Sequence, residues 1–163
     1  METTNFKDMY LSELQELASV ESQLAESLLH MSEVASHPVL KNALLHHREE
    51  TQVQKDRLES ILQKHGANPA HTDQAMQALL KETGKMLTML KGNDLRDAGL
   101  IASAQKLDHY EIAAYGTAAA LAGQLDLRDD QQMLHMSLEE ERQSDALLTQ
   151  LAKSEVNSDA LAA

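Results

Sequence analysis

The stretch from Leu100 to Leu125, LIASAQKLDHYEIAAYGTAAALAGQL, decides how this chain folds. It is rich in residues that favour helix, no proline interrupts it, and Leu107 and Leu121 belong to a stripe of apolar residues at helical spacing. Glu111 breaks that stripe at its centre, and Asp108 lies about one turn earlier. The stretch therefore predicts a long helix that brings carboxylates into an otherwise apolar interface.

The same pattern occurs in three other segments, which predict helices over roughly 4–35, 38–65 and 130–153. In each segment an apolar stripe is interrupted near its middle by polar or acidic residues. The interrupting residues are Glu21 in the first segment, His47, Glu50 and Gln54 in the second, and Glu141 and Asp145 in the last.

The connections between these helices predict the topology. Pro38 suits the first turn of a helix, and Gly66 suits a helix end. Between the second and third long helices, Thr72 is the predicted cap of a shorter helix reaching about Leu90, with an apolar stripe suited to packing on the bundle side or on another subunit. Two helical hairpins joined by a long crossover predict an all-α, antiparallel four-helix bundle with a short fifth helix in the crossover. We expect one domain over 1–153 and a flexible C-terminal tail over 154–163.

Composition narrows the class of protein. The 163 residues include no Cys, which excludes disulfides and a thiolate zinc site. The formal net charge of -12 is unfavourable for nucleic acid. No apolar run has the length of a membrane span, and residues 1–11 lack the apolar core of a signal peptide, so we expect a cytoplasmic protein without a membrane partner.

The interrupting residues lie at matched heights. Residues equally distant from a hairpin turn face each other across an antiparallel pair, and the turns centre near 36–37 and near 127. The resulting pairings are Glu21 with Glu50 and Gln54, and Glu111 with Glu141 and Asp145.

Several carboxylates buried together are unfavourable unless a cation or a proton compensates them, and no Lys or Arg lies on the central part of these stripes. Two divalent ions would compensate four carboxylates, and an oxygen-rich set favours iron or manganese. No organic cofactor is predicted. The predicted metal ligands are Glu21, Glu50, Gln54, Asp108, Glu111, Glu141 and Asp145. His47, His109, Tyr115 and Glu140 are predicted to be further ligands or to support the ligands, and on the last helix Glu140 with Ser144 could replace Glu141 with Asp145.

Four stretches resemble the YciE/YciF-like bacterial stress proteins of the ferritin-like superfamily. They are ASVESQL (18–24), HREETQVQ (47–54), KLDHYEIAAYGT (106–117) and LEEERQSDALL (138–148). The resemblance implies a ferritin-like bundle, a di-iron-type site and a homodimer. The chain departs from the Glu-x-x-His pattern of ferritins, since Val53 and Ser144 stand where histidine would follow Glu50 and Glu141. The resemblance also implies that the motif on the third long helix begins with Glu, whereas this chain has Asp108 there.

Two functions are compatible with this pattern. The first is a di-metal oxidoreductase or peroxide-handling protein of the stress response, acting on a small oxidant such as O2 or peroxide; the catalytic residues stay unassigned. The alternative is a non-catalytic metal-binding or structural stress protein whose site is vestigial.

Overall fold

The computed structural model describes residues 3–69 and 71–163, and its elements are helical throughout those ranges. The predicted all-α bundle with a helix in the long crossover is confirmed. The elements are α1 (Phe6–Val34), α2 (Pro38–Lys64), α3 (Gln74–Met89), α4 (Asn93–Gln124), α5 (Arg128–Leu151), a π-helical turn (Ala152–Val156) and α6 (Asn157–Ala162).

The four long helices form an antiparallel ring. The hairpins α1–α2 and α4–α5 pack most extensively, and α1 also packs on α4 while α2 packs on α5. Asp97, near the start of α4, accepts hydrogen bonds from the backbone N–H groups of Ser36 and His37, both at 2.8 Å, just beyond the end of α1. The crossover therefore brings α4 alongside α1 in the antiparallel sense.

Local sequence signals define most helix ends. The side chain of Asn5 accepts the backbone N–H of Asp8 at 2.9 Å and caps α1, while Pro38 is the first residue of α2. Gly66 follows α2 with a φ of 69°, a left-handed conformation that glycine adopts without a steric penalty. The predicted capping role of Thr72 is wrong, because Asp73 occupies the cap of α3 and accepts the backbone N–H of Met76.

Two apolar cores lie on either side of a polar level in the bundle. One core contains Leu24, Leu28, Leu44, Leu100, Leu107 and Leu148 among others. The other contains Tyr10, Leu14, Leu17, Leu58, Leu62, Tyr115 and Leu138 among others. Each long helix contributes to both cores, so the middle of each helix lies between them, and the interrupted stripes of the sequence meet there.

The crossover helix α3 packs along the bundle, as its apolar stripe predicts, with Met76 fully buried against the first core. Leu90 and Met86 come so close to Gly99 of α4 that a Cβ atom there would clash with Leu90, so glycine permits the approach. The C-terminal segment, predicted as a tail over 154–163, is helical for most of its length. It continues as helix to Ala162, and Val156 is buried in the first core.

Candidate metal centre

A cluster of four side chains occupies the polar level between the two cores. His47 of α2, Asp108 and Glu111 of α4, and Glu141 of α5 each offer one ligand atom, and these atoms all lie within 4.8 Å of one another. Glu21 of α1 is equally buried beside them, with no exposed surface. The four-helix ring therefore contributes one or two ionisable groups from each helix to a single enclosed site.

His47 links the carboxylates of two helices. Its Nε2 lies 3.1 Å from Oε2 of Glu141, and its Nδ1 lies 3.7 Å from Oδ1 of Asp108 and 3.2 Å from Oγ of Ser144. Only 3% of the imidazole is exposed. The sequence placed His47 beside the site as a ligand or a supporting residue, and the geometry brings it within the cluster.

Most oxygens of this cluster lack a hydrogen-bond donor. Within residues 3–69 and 71–163, none donates to either oxygen of Asp108 or Glu111, to Oε2 of Glu21 or to Oε1 of Gln54. Buried oxygens without donors are rare in folded proteins because the loss of hydration is not repaid. Six such acceptors on buried side chains at one level of the bundle fit hard divalent cations, which bind carboxylate and amide oxygens.

The burial of like charges raises the pKa of three of these acids. Burial first, and then the charge of Glu141, raises the pKa of Glu21 to about 8. Burial also raises the pKa of Asp108 to about 8, although His47 opposes the shift. The pKa of Glu111 is raised well above its ordinary value by burial and by the charges of Glu141 and Glu21. Without a cation, this site therefore favours protons at neutral pH.

The imidazole shows the complementary shift. Burial alone would lower the pKa of His47, but its hydrogen bond to Glu141 and the charges of Glu141 and Asp108 outweigh burial and raise the pKa to about 9. A protonated His47 compensates part of the carboxylate charge in the metal-free protein. A metal ion bound by the same ring would take over that role, because histidine binds metals only when neutral.

Gln54 is oriented by a network that extends to the surface of the bundle. Its Nε2 donates to Oε1 of Glu141 at 2.8 Å and to Oε2 of Glu140 at 3.1 Å. Arg57 holds Glu140 with two hydrogen bonds, of 2.6 and 2.9 Å, and also donates to Ser137. Because both amide hydrogens are engaged, the free acceptor of Gln54 is its buried Oε1.

Tyr115 supports the cluster from the second core. Its hydroxyl donates a short hydrogen bond to Oε1 of Glu21, and both residues are fully buried. This contact leaves Oε2 of Glu21 as the oxygen without a donor. Tyr115, predicted to be a ligand or a supporting residue, therefore contacts the site through its hydrogen bond to Glu21.

Three predicted site residues lie outside the buried cluster. Glu50 has 30% of its side chain exposed and pairs with His46, 3.5 Å from its Nδ1. Asp145 pairs with His109 at 3.2 Å and accepts a hydrogen bond from Gln105 at 2.9 Å. His109 itself is 67% exposed. Helical rotation explains the two carboxylates, because the inward positions are Thr51 on α2 and Ser144 on α5, and Glu50 and Asp145 each lie about 100° around the helix from these residues.

Burial distinguishes the two possible orientations of α5, in which either Glu141 or Glu140 faces the site. Glu141 is fully buried, whereas Glu140 is partly exposed and bound to Arg57. Ser144 faces His47 and contributes a hydroxyl rather than a carboxylate. The sequence reasoning missed Arg57. The only available signal was its position three residues after Gln54, which places both on neighbouring faces of one helix.

A second group of buried polar side chains lies at the end of the bundle where the α4–α5 hairpin turns. The sequence did not predict this group. Asp130 is 1% exposed and accepts hydrogen bonds from Lys64 at 2.8 Å and from the Tyr10 hydroxyl at 3.1 Å. Nε2 of His65 lies 2.6 Å from the same carboxylate. Burial opposes ionisation of Asp130, but hydrogen bonds from Lys64 and His65 outweigh it and lower the pKa.

The fold and this cluster define a ferritin-like four-helix bundle with a carboxylate and histidine site in its centre. The chain belongs to the family described as "Domain of unknown function (DUF892)", whose model matches residues 5–161. Among the part of the chain that the structure describes, there is no helix long and apolar enough to cross a membrane.

Known relatives agree with this assignment. Protein YciF of Escherichia coli (strain K12) is 36% identical over 159 residues, which cover 96% of each chain. The crystal structure of the E. coli stress protein YciF matches with a TM-score of 0.89 and covers 96% of this chain and 99% of that one. The structure of YcfI from Rhodopseudomonas palustris, 32% identical, matches with a TM-score of 0.88 over 91% of this chain and 95% of its own.

Proposed function

We propose that this chain is a metal-binding protein that holds two divalent ions, iron or manganese, in its central cluster. The observation that carries this proposal is the set of six buried oxygens without a hydrogen-bond donor, arranged around His47 and Glu141. Protons can compensate some of the charge, but they leave most of these lone pairs without partners. Two divalent ions would neutralise four carboxylates and engage the free acceptors together.

The residues divide naturally between two ions. His47, Asp108, Glu111 and Glu141 form the set whose ligand atoms lie closest together, and they suit one ion. Glu21 and Oε1 of Gln54 would supply the remaining free acceptors for a second ion. Carboxylates commonly bridge pairs of metal ions in bundles of this kind.

Bound iron or manganese would supply one-electron redox chemistry toward O2 or peroxide. The chain's own residues would control access and protonation. The two apolar cores exclude bulk water from the cluster, and Tyr115 holds a proton at the oxygen of Glu21. Arg57 and Glu140 keep the Gln54 amide in one orientation. We therefore propose an oxidoreductase or peroxide-handling activity, in line with the description of the E. coli relative as a stress protein.

Metal titration tests the proposal directly. The protein, freed of metal by a chelator, is titrated with Mn2+ in air and with Fe2+ under argon, and bound metal is counted after equilibrium dialysis. We expect about two ions per chain in the wild type. The double variant D108N/E111Q should lose most of this binding, and E139Q, which removes an exposed carboxylate of α5, should retain it. Absence of Mn2+ and Fe2+ binding to the wild type would refute the proposal.

A second candidate, a site that holds protons rather than metal, is favoured by the pKa shifts. Protonated His47 and protonated Glu21 and Asp108 would balance the charge of a metal-free cluster in a structural protein. Consumption of hydrogen peroxide by the iron-loaded wild type, absent in D108N/E111Q, would separate the first function from this one. Metal binding without peroxide consumption would leave a non-catalytic metal-binding protein.

A further inference from the structure

A partly enclosed depression lies between α2 and α5, directly outside the central cluster. Its volume is about 160 Å³, enough for several water molecules. Its lining includes the small side chains of Ala43 and Ser144 and the apolar side chain of Leu147. All of its lining residues belong to α2 or α5, and they include His47, so the depression lies in the seam between these two helices at the level of the cluster.

The floor of this depression is a residue of the cluster itself. His47 lines it, and the same imidazole contacts Glu141 and Asp108 on its inner side. One aromatic ring thus separates the surface depression from the buried carboxylates. Ser144, which also lines the depression, is the neutral partner of His47 Nδ1. A rotation of that ring would open a path between the depression and the cluster.

The rim of the depression carries a carboxylate. Glu50 lines it together with His46, and its side chain is 30% exposed, so it is open to solvent on one side. Partial burial raises the pKa of Glu50, His46 and His47 oppose the shift, and the nearby charges of Glu140 and Glu141 add to it. The depression therefore has a solvent-accessible carboxylate at its rim, which attracts a cation from solution, and the buried carboxylates lie beyond His47 at its floor.

We propose that this depression is the route by which a divalent cation reaches the cluster, with Glu50 as its first, transient carboxylate contact and the His47 ring as a gate. This inference rests on the proposed function, because a route requires a bound ion. It also assigns Glu50 a role that fits its place at the rim, distinct from the resident ligand that its position in the sequence suggests. The partly exposed carboxylate attracts the ion, and the buried ones retain it.

The rates of metal uptake and release test the route. Co2+ is the probe, because its visible absorption reports binding in a stopped-flow instrument, and excess EDTA reports release. The variant A43F fills the depression without replacing a carboxylate, and A102F, on the exposed face of α4, is its control. A blocked route slows uptake and release by the same factor, since both cross the same barrier, and leaves the Kd unchanged. We expect this pattern for A43F and wild-type rates for A102F.

Substitution of the rim carboxylate gives a second measure that does not alter packing. E50Q should slow Co2+ uptake about threefold to tenfold, with a larger effect at low salt, because it removes an attractive charge from the approach. E49Q makes the same change in charge at the neighbouring exposed position and should behave as the wild type. Circular dichroism and the number of Co2+ ions bound at equilibrium verify that each variant folds.

The outcomes are distinguishable. Wild-type uptake rates in both A43F and E50Q would overturn the route while leaving the metal site intact. A higher Kd for E50Q through faster release, with unchanged uptake, would make Glu50 a resident ligand and overturn its transient role. If the wild type shows no Co2+ absorption change, and binds neither Mn2+ nor Fe2+ in dialysis, the proposed function itself fails and the route fails with it.

Discussion

Two buried carboxylate sites in this bundle have opposite electrostatic surroundings. At the end of the bundle where the α4–α5 hairpin turns, Asp130 is held by Lys64, His65 and Tyr10, and its pKa is lowered. At mid-height, Glu111 has no donor to either oxygen among the residues described, and its pKa is raised well above the ordinary value. Both side chains are almost completely buried.

The difference shows that burial alone does not mark a functional site. A buried carboxylate whose hydrogen bonds are supplied by the protein stabilises the fold in its ionised form. A buried carboxylate that lacks them destabilises the metal-free fold and awaits a proton or a cation. Asp130 is of the first kind and Glu111 of the second.

The largest effect should come from pH. Glu21 and Asp108 have folded-state pKa values of about 8, far above those of an unfolded chain, so the folded state holds protons that the unfolded state releases. Their stabilising contribution is therefore complete in acid and is lost as pH rises toward about 8, and that of His47 is lost between its ordinary value and about 9. We expect the free energy of unfolding of metal-free protein to fall by several kcal/mol between about pH 5 and pH 8.

Urea denaturation in the presence of EDTA measures this dependence. Asp130 acts in the opposite sense, because its lowered pKa contributes stability that is lost only in acid. Saturating Mn2+ should reverse the trend at high pH, since metal and protons compete for the same oxygens. Constant or rising stability of the metal-free protein across this interval would contradict the account of the central cluster.

The next largest effect should come from D130A. This change leaves His65 and the Tyr10 hydroxyl without their buried partner, and we expect a loss of about 3 kcal/mol in the free energy of unfolding. D129A, at the adjacent exposed position in the same first turn of α5, is the matched control. Equal losses in the two variants would mean that the contribution of Asp130 comes from the helix terminus rather than from its partners.

In the central cluster, E111Q should increase the free energy of unfolding of the metal-free protein rather than decrease it. Without metal, this nearly isosteric change removes a buried carboxylate that lacks donors, so the variant should be more stable than the wild type by about 1 kcal/mol at pH 8. The same variant should be stabilised less than the wild type by Mn2+, as measured by differential scanning calorimetry. A destabilised metal-free E111Q would place Glu111 in the same class as Asp130.

The smallest effect should come from Y10F. Asp130 keeps Lys64 and His65 when the hydroxyl is lost, so we expect a decrease of about 1 kcal/mol in the free energy of unfolding, with no change in metal binding. Y115F removes the donor of Glu21 and should, in contrast, alter metal affinity. Unchanged Mn2+ affinity in Y115F would show that Tyr115 is a packing residue.

Local signals in the sequence are enough to predict the four long helices, their hairpins and the height of the site. Apolar spacing, Pro38 and Gly66 are local signals, and they were confirmed. The four stripes interrupted by acids became one polar level between two cores, because residues on both sides of each interruption must be buried together. Glu21, Asp108, Glu111 and Glu141 could therefore be placed at the centre of the bundle before any contact was known.

The packing of the helices determines which of the residues near each central acid along its helix also face inward. A hairpin turn sets the register of α1 on α2 and of α4 on α5, but the crossover leaves the register of α2 on α5 undetermined. That register brings His47 to Glu141, Gln54 between Glu140 and Glu141, and Arg57 to Glu140, while it leaves Glu50 at the rim. Helical spacing assigns a side chain to a face to within about one residue, which is about 100° of rotation, and a shift of that size separates a ligand from a residue at the rim.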